Sequence, residues 1–178
     1  MRLASALLMP ILCLLTGSAN SGAEYPAVPV DLTPIRLSAH AYYVPGGTGI
    51  ATANYGFVSN AAFVVTSEGL VVFDTLGTPA LGAQLLKAIR SVSKAPIRTI
   101  YISHYHADHM YGTQAFAESG AEIVASDGAK RYLEGEVAQR RLAERRISLS
   151  PWVDGNTRIV QPDRFVQGEE RIMLGGVN

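Results

Sequence analysis

Three of the four histidines in the chain, His104, His106 and His109, fall within six residues, with Asp108 between the last two. Imidazole nitrogens and a carboxylate form the donor set that favours zinc and similar divalent ions. The spacing is not that of a helical zinc motif, in which histidines four residues apart face one way. On a helix His104 and His106 would point apart, whereas in an extended segment residues two apart share a face. They can therefore hold one metal from a loop that leaves a strand. Asp108 and His109 are adjacent, so at least one turns elsewhere, which suits a second metal close by. A polar loop whose histidines only cap neighbouring elements is the alternative; such clustering in a chain this poor in histidine argues against it.

Asp74 is the next candidate. It ends the apolar run Leu70-Val71-Val72-Phe73. An ionised carboxylate there could accept hydrogen bonds from the metal loop and orient it. It could equally be a turn or capping residue, common after strands. His40 stands alone and reads as a surface histidine. Tyr55 and Phe57 either line a substrate flap or pack in the core. The basic residues Lys130, Arg131, Arg140, Arg141, Arg145 and Arg146 alternate with Glu134, Glu136 and Glu144, as on a solvated helix face.

The elements that must position these residues follow from periodicity. Asn60 to Thr66 and Leu70 to Phe73 form a hairpin about the turn Ser67-Glu68-Gly69, and the second strand, apolar on both faces, is central. Ala41 to Val44 is a further short strand, and Pro45 to Tyr55 a loop. Thr78-Pro79 is a helix start, with Thr as cap and Pro in the first turn. Leu81, Leu85, Ile89 and Val92 then mark one apolar face. Ile97 to Ser103 is the strand that delivers the histidines. In α/β sheets, ligands sit beyond the carboxyl ends of strands. Met110 to Ser119 reads as helical, with Gly112 easing the turn into it. Ala121 to Ala125 is a strand and Asp127 to Arg146 one long polar helix. Ile159 to Phe165 and Arg171 to Leu174 read as strands around a Gly168 turn. The order implies a mixed sheet covered by helices.

The N-terminus reads as an export leader over residues 1–23, ahead of a single domain over 24–178. Arg2, the apolar stretch from Leu7 to Leu15, and Ser21-Gly22-Ala23 before Glu24 supply its three parts. The apolar stretch is short of the roughly 20 residues a membrane span needs. The expected location is periplasmic or secreted, with no stable membrane span after cleavage. The one cysteine, Cys13, lies in the leader, so the mature chain has no disulfide and no thiol nucleophile. Lys plus Arg (15) equals Asp plus Glu (15), which argues against a nucleic-acid partner and leaves a small-molecule substrate.

The segments NAAFVVTSEGLVVFDT and IYISHYHADHMYGT resemble the metallo-β-lactamase superfamily over about Asn60 to Ala125. More loosely, the chain resembles periplasmic class B β-lactamases and quinoprotein-associated members. The resemblance implies an α+β fold, an αββα sandwich of two sheets with helices outside. It implies two zinc ions, the first held by His104 and His106 and the second by Asp108 and His109. It makes Asp74 the carboxylate that supports the metal loop. It also implies hydrolysis of an amide, lactam, ester or thioester by hydroxide from a zinc-activated water, with Asp108 orienting the nucleophile. The family draws further ligands from later motifs, yet no histidine follows His109. The chain is therefore expected to be the N-terminal half of the sandwich, with two protein ligands per metal where a catalytic zinc normally has three. By itself it is expected to be inactive and poorly folded. The competing expectation is a non-catalytic zinc-binding remnant or partner protein of the same fold.

Overall fold

The computed structural model describes residues 24–178. One seven-stranded sheet runs through it in sequence order: β1 (Ile35–Arg36), β2 (Ala41–Val44), β3 (Ala61–Thr66), β4 (Gly69–Phe73), β5 (Ile97–Ile102), β6 (Glu122–Ser126) and β7 (Arg164–Val166). The first four strands pair antiparallel and the last four parallel. The change falls at β4, where the chain leaves the hairpin and returns through a helix. The β3–β4 turn is tied by Thr66, whose hydroxyl donates to the Gly69 carbonyl at 2.9 Å and accepts from the Glu68 amide at 3.1 Å.

Helix α1 (Pro79–Val92) begins as its sequence requires. The Thr78 hydroxyl accepts from the Leu81 amide at 3.1 Å, and Pro79 occupies the first turn. Leu81, Leu85 and Ile89 are fully buried, on the sheet face that also carries Phe63, Leu70, Val72, Ile100 and Ile102. After β5 a single turn, α2 (Ala107–Met110), leads into a 3₁₀ helix over Tyr111–Ser119, a tighter winding than the α-helix expected there.

Two other expectations change. The long polar helix is broken at Gly135 into α3 (Asp127–Leu133) and α4 (Glu136–Ser148). Gly135 takes an extended conformation and its amide donates to the Tyr132 carbonyl; glycine in a helix interior costs about 1 kcal/mol relative to alanine, so the break falls there. Of the two C-terminal strands, only Arg164–Val166 joins the sheet, and Leu174 and Val177 form an isolated bridge. The ladder beside β6 starts at Asp163, which donates its amide to the Ile123 carbonyl and accepts the Ile123 amide on its carboxylate, both at 2.8 Å.

Gly112 has a different role from the turn residue expected. Its φ is not positive. It lies where α1 crosses the 3₁₀ helix, backbone against backbone: a Cβ on Gly112 would overlap the Thr75 carbonyl, and one on Gly82 would overlap the Gly112 carbonyl. Neither obstacle is a flexible side chain. Gly112→Ala should therefore destabilise the fold by at least about 3 kcal/mol. For a chain of this size that is about 6–12 °C in melting temperature, readable by calorimetry; an unchanged transition would show that the crossing can relax.

Candidate metal centre

The centre is built on the seam between β4 and β5. These strands are parallel with Phe73 beside Tyr101, so the residues following each emerge side by side. Asp74 continues the pairing, its amide donating to the Tyr101 carbonyl at 2.8 Å. It then turns into the left-handed region, at φ 61°, and Leu76 does so again at φ 69°. Non-glycine residues take such a conformation rarely and at some energetic cost. Here burial of Leu76 in the core and hydrogen bonds around Asp74 hold it in place.

Those hydrogen bonds join Asp74 to the histidine loop. Its Oδ1 accepts the Ser103 amide and its Oδ2 the Ser103 hydroxyl, each at 2.7 Å. The same Oδ2 lies 2.8 Å from His109 Nδ1. Backbone contacts complete the clamp: the Thr75 amide donates to the His109 carbonyl and the Gly112 amide to the Leu76 carbonyl, both at 2.9 Å. The Ser59 hydroxyl donates to the Asp108 carbonyl. The carboxylate thus hydrogen-bonds to both Ser103 and His109, at the two ends of the loop.

The four loop side chains converge. The His104 and His109 rings are 4.0 Å apart between centroids, and those of His104 and His106 4.7 Å. His104 Nε2 lies 3.1 Å from His106 Nδ1, and His109 Nε2 3.3 Å from Asp108 Oδ2. Two ligands bound tetrahedrally to one zinc, at about 2.0–2.1 Å each, would be about 3.3 Å apart. Each pair therefore has the separation of neighbouring ligands on one ion. Among the described residues no group of three or more His, Cys, Asp or Glu closes around a single ion; the donors come as two pairs.

The electrostatics follow from this crowding. Burial works against a charge on His109, yet hydrogen bonds to Asp108 and Asp74 outweigh it and hold the imidazole up to about 9. A metal at its Nε2 would have to displace that proton. The His109 hydrogen bond holds the Asp108 carboxyl below its usual range against the opposing effect of burial. Burial, reinforced by its two histidine neighbours, lowers His104.

Other candidates fall elsewhere. His40 is exposed, with its Nδ1 on the Val65 carbonyl at 2.9 Å. Phe57 is buried in the core and Tyr55 packs edge-on against Trp152. Ser103 was not anticipated, although it directly precedes the histidine run. Its hydroxyl joins Asp74 to His104 Nδ1, the latter at 3.0 Å.

The family model described as "Metallo-beta-lactamase superfamily" matches residues 54–176, more than half of the chain. A linear primary-alkylsulfatase of Pseudomonas sp. is 33% identical over 67 residues, which is 38% of this chain and 12% of that protein. Among solved structures, a metallo-beta-lactamase from Pontibacter korlensis superposes with a TM-score of 0.56 at 21% identity, covering 82% of this chain and 57% of its own. The native metallo-beta-lactamase from Legionella gormanii gives 0.58 at 19% identity, covering 85% and 52%. The chain thus spans about half the length of these structures. Likeness at such identities shows the fold: a mixed sheet with covering helices of the metallo-β-lactamase type. With the family model matching across the histidine loop and the strands that carry it, this chain belongs to the metallo-β-lactamase superfamily.

Proposed function

We propose that this protein is a zinc-dependent hydrolase of amides, lactams, esters or thioesters, exported from the cytoplasm. The observation that carries this reading is the arrangement of donors in two pairs at ligand spacing, with Asp74 on the outward nitrogen of His109. His104 Nε2 and His106 Nδ1 would hold one ion, and Asp108 Oδ2 and His109 Nε2 a second. Zinc there supplies a Lewis acid for a carbonyl oxygen and lowers the pKa of water to about 7. Asp74 accepts the Nδ1 proton of His109 and so leaves Nε2 as the donor atom facing inward. Asp108 stays ionised at neutral pH and can orient a nucleophile through its second carboxylate oxygen.

The reading is tested on the full-length protein supplied with zinc, against a lactam, an ester, a thioester and an amide. The alkylsulfatase similarity adds a primary alkyl sulfate to that panel. Turnover that is lost on chelation and restored by zinc is the expected result. Stoichiometric zinc without turnover of any of the five would replace this reading with that of a non-catalytic zinc-binding protein.

The leader over residues 1–23 lies outside the described residues. Among those described, no helix is long and apolar enough to cross a membrane. Expression in a Gram-negative host should yield periplasmic protein that begins at Glu24 by mass spectrometry. An intact Met1 on cytoplasmic protein would end the export proposal.

A further inference from the structure

The loop that carries His106 and Asp108 forms one wall of a cavity of about 420 Å³, within the range of small-molecule sites. The facing wall comes from α3 and α4. Tyr132 of α3 stacks on Tyr105 of the metal loop, with ring centroids 4.3 Å apart, so an aromatic surface runs from one wall to the other. Val137, Arg141 and Arg145 also line the cavity. They recur every fourth residue and so form one row along α4, while Ala138 and Leu142 beside them are buried and anchor the helix. The break at Gly135 makes α4 a helix separate from α3, with this row lining the same cavity as His106 and Asp108.

The two arginines differ from their neighbour. Arg146 is taken up by the Asp154 and Thr157 carbonyls at 2.8 and 2.7 Å. Among the described residues neither Arg141 nor Arg145 is in an ion pair; those present involve His109 and Arg164. Arg145 is partly buried and also lines the small gap beside Ala107 and Asp108. Two guanidinium groups on one row, without carboxylate partners, offer planar forks of donors suited to an oxyanion. Val137 and Arg141 are exposed, as expected of a solvated helix face, and Arg145 is partly buried, so the row borders open space beside the metal loop.

We propose that this cavity is the substrate pocket and that it selects molecules with an oxyanion group on an apolar body, the anion held by Arg141 and Arg145. Tyr105, Tyr132 and Val137 take the apolar body, which leaves the bond to be cleaved beside His106 and Asp108. This deepens the hydrolase reading and rests on it for the cleavage step, while the binding step can be measured separately.

The test uses the full-length protein supplied with zinc and three probes in isothermal titration: benzenesulfonate, phenylacetate and the neutral phenylacetamide. Both anions should bind at least about tenfold more tightly than the amide, as hydrogen bonds to charged groups allow. The double variant Arg141→Gln/Arg145→Gln should weaken both anions by about 10–100-fold. Arg140→Gln, which removes a charge from the same helix outside the cavity, should leave their affinity as it was. Comparing the anions shows whether the fork prefers a carboxylate or a sulfonate. Anion affinity equal to that of the amide, or unaffected by the double variant, would overturn the proposal even if hydrolysis is observed. Arginine-dependent anion binding without turnover of any substrate would keep the anion site and remove the hydrolase reading.

Discussion

Replacing His104 and His106 together with Ala should lower the zinc content of the full-length protein by about one ion per chain and reduce hydrolysis by more than about 100-fold. The two nitrogens involved, His104 Nε2 and His106 Nδ1, are 3.1 Å apart and are the proposed protein donors to one ion. Removing both leaves that position without an imidazole, whereas Asp108 and His109 keep their mutual 3.3 Å geometry and their tie to Asp74. The loss should therefore be confined to one ion. Its effect on activity should exceed the 10–100-fold typical of groups that only support a ligand. Both side chains lie at the surface end of the loop and neither is in the buried core, so the thermal transition of the metal-free protein should move little. Elemental analysis showing unchanged zinc in a folded double variant would remove the metal assignment altogether.

Asp74→Asn should keep the fold and weaken zinc binding or turnover by about 10–100-fold. The reason lies in proton positions. The Asp74 carboxylate accepts three hydrogen bonds, from the Ser103 amide, the Ser103 hydroxyl and His109 Nδ1. An asparagine of the same shape offers one oxygen and one NH₂ group. With the oxygen on the Ser103 amide, the NH₂ faces His109 Nδ1 and favours the tautomer with its proton on Nε2, the atom proposed to bind metal. With the amide reversed, NH₂ faces the Ser103 N–H, donor against donor, and the loop is pushed from the seam. Either arrangement disturbs the ligand while leaving the β4–β5 pairing intact. Nitrogen-15 NMR of the His109 ring in the metal-free variant would show which occurs. Normal zinc affinity and turnover would make Asp74 a turn residue with no part in the site.

The parts of this molecule that were legible in the sequence are those in which the interacting residues are close along the chain. The hairpin of β3 and β4 follows from two apolar runs about a tight turn, whose last expected residue, Gly69, joins β4 opposite Thr66, and α1 from the Thr78-Pro79 start and the repeat of Leu81, Leu85 and Ile89. The histidine cluster is local in the same sense: the geometry that lets His104 and His106 share a face is written in their spacing. Where a local rule competed with another local rule, the outcome was less legible. The basic stretch from Lys130 to Arg146 satisfies helical propensity throughout, and only the backbone preference of Gly135 divides it.

By itself the sequence determined the family resemblance and the grouping of metal-ligating residue types, His104, His106, Asp108 and His109, directly after the strand Ile97–Ile102. The tertiary structure decided what surrounds those donors. Asp74 meets Ser103 across 29 residues and His109 across 35 because β4 and β5 are parallel neighbours in one register. Gly112 is required by an α1 crossing that no local pattern announces. The row of Val137, Arg141 and Arg145 faces the metal loop only because α4 packs there through Ala138 and Leu142. The physical reason is common to all three. Backbone propensity and side-chain period act over a few residues, whereas these proximities are set by burial of apolar faces between segments far apart in the chain.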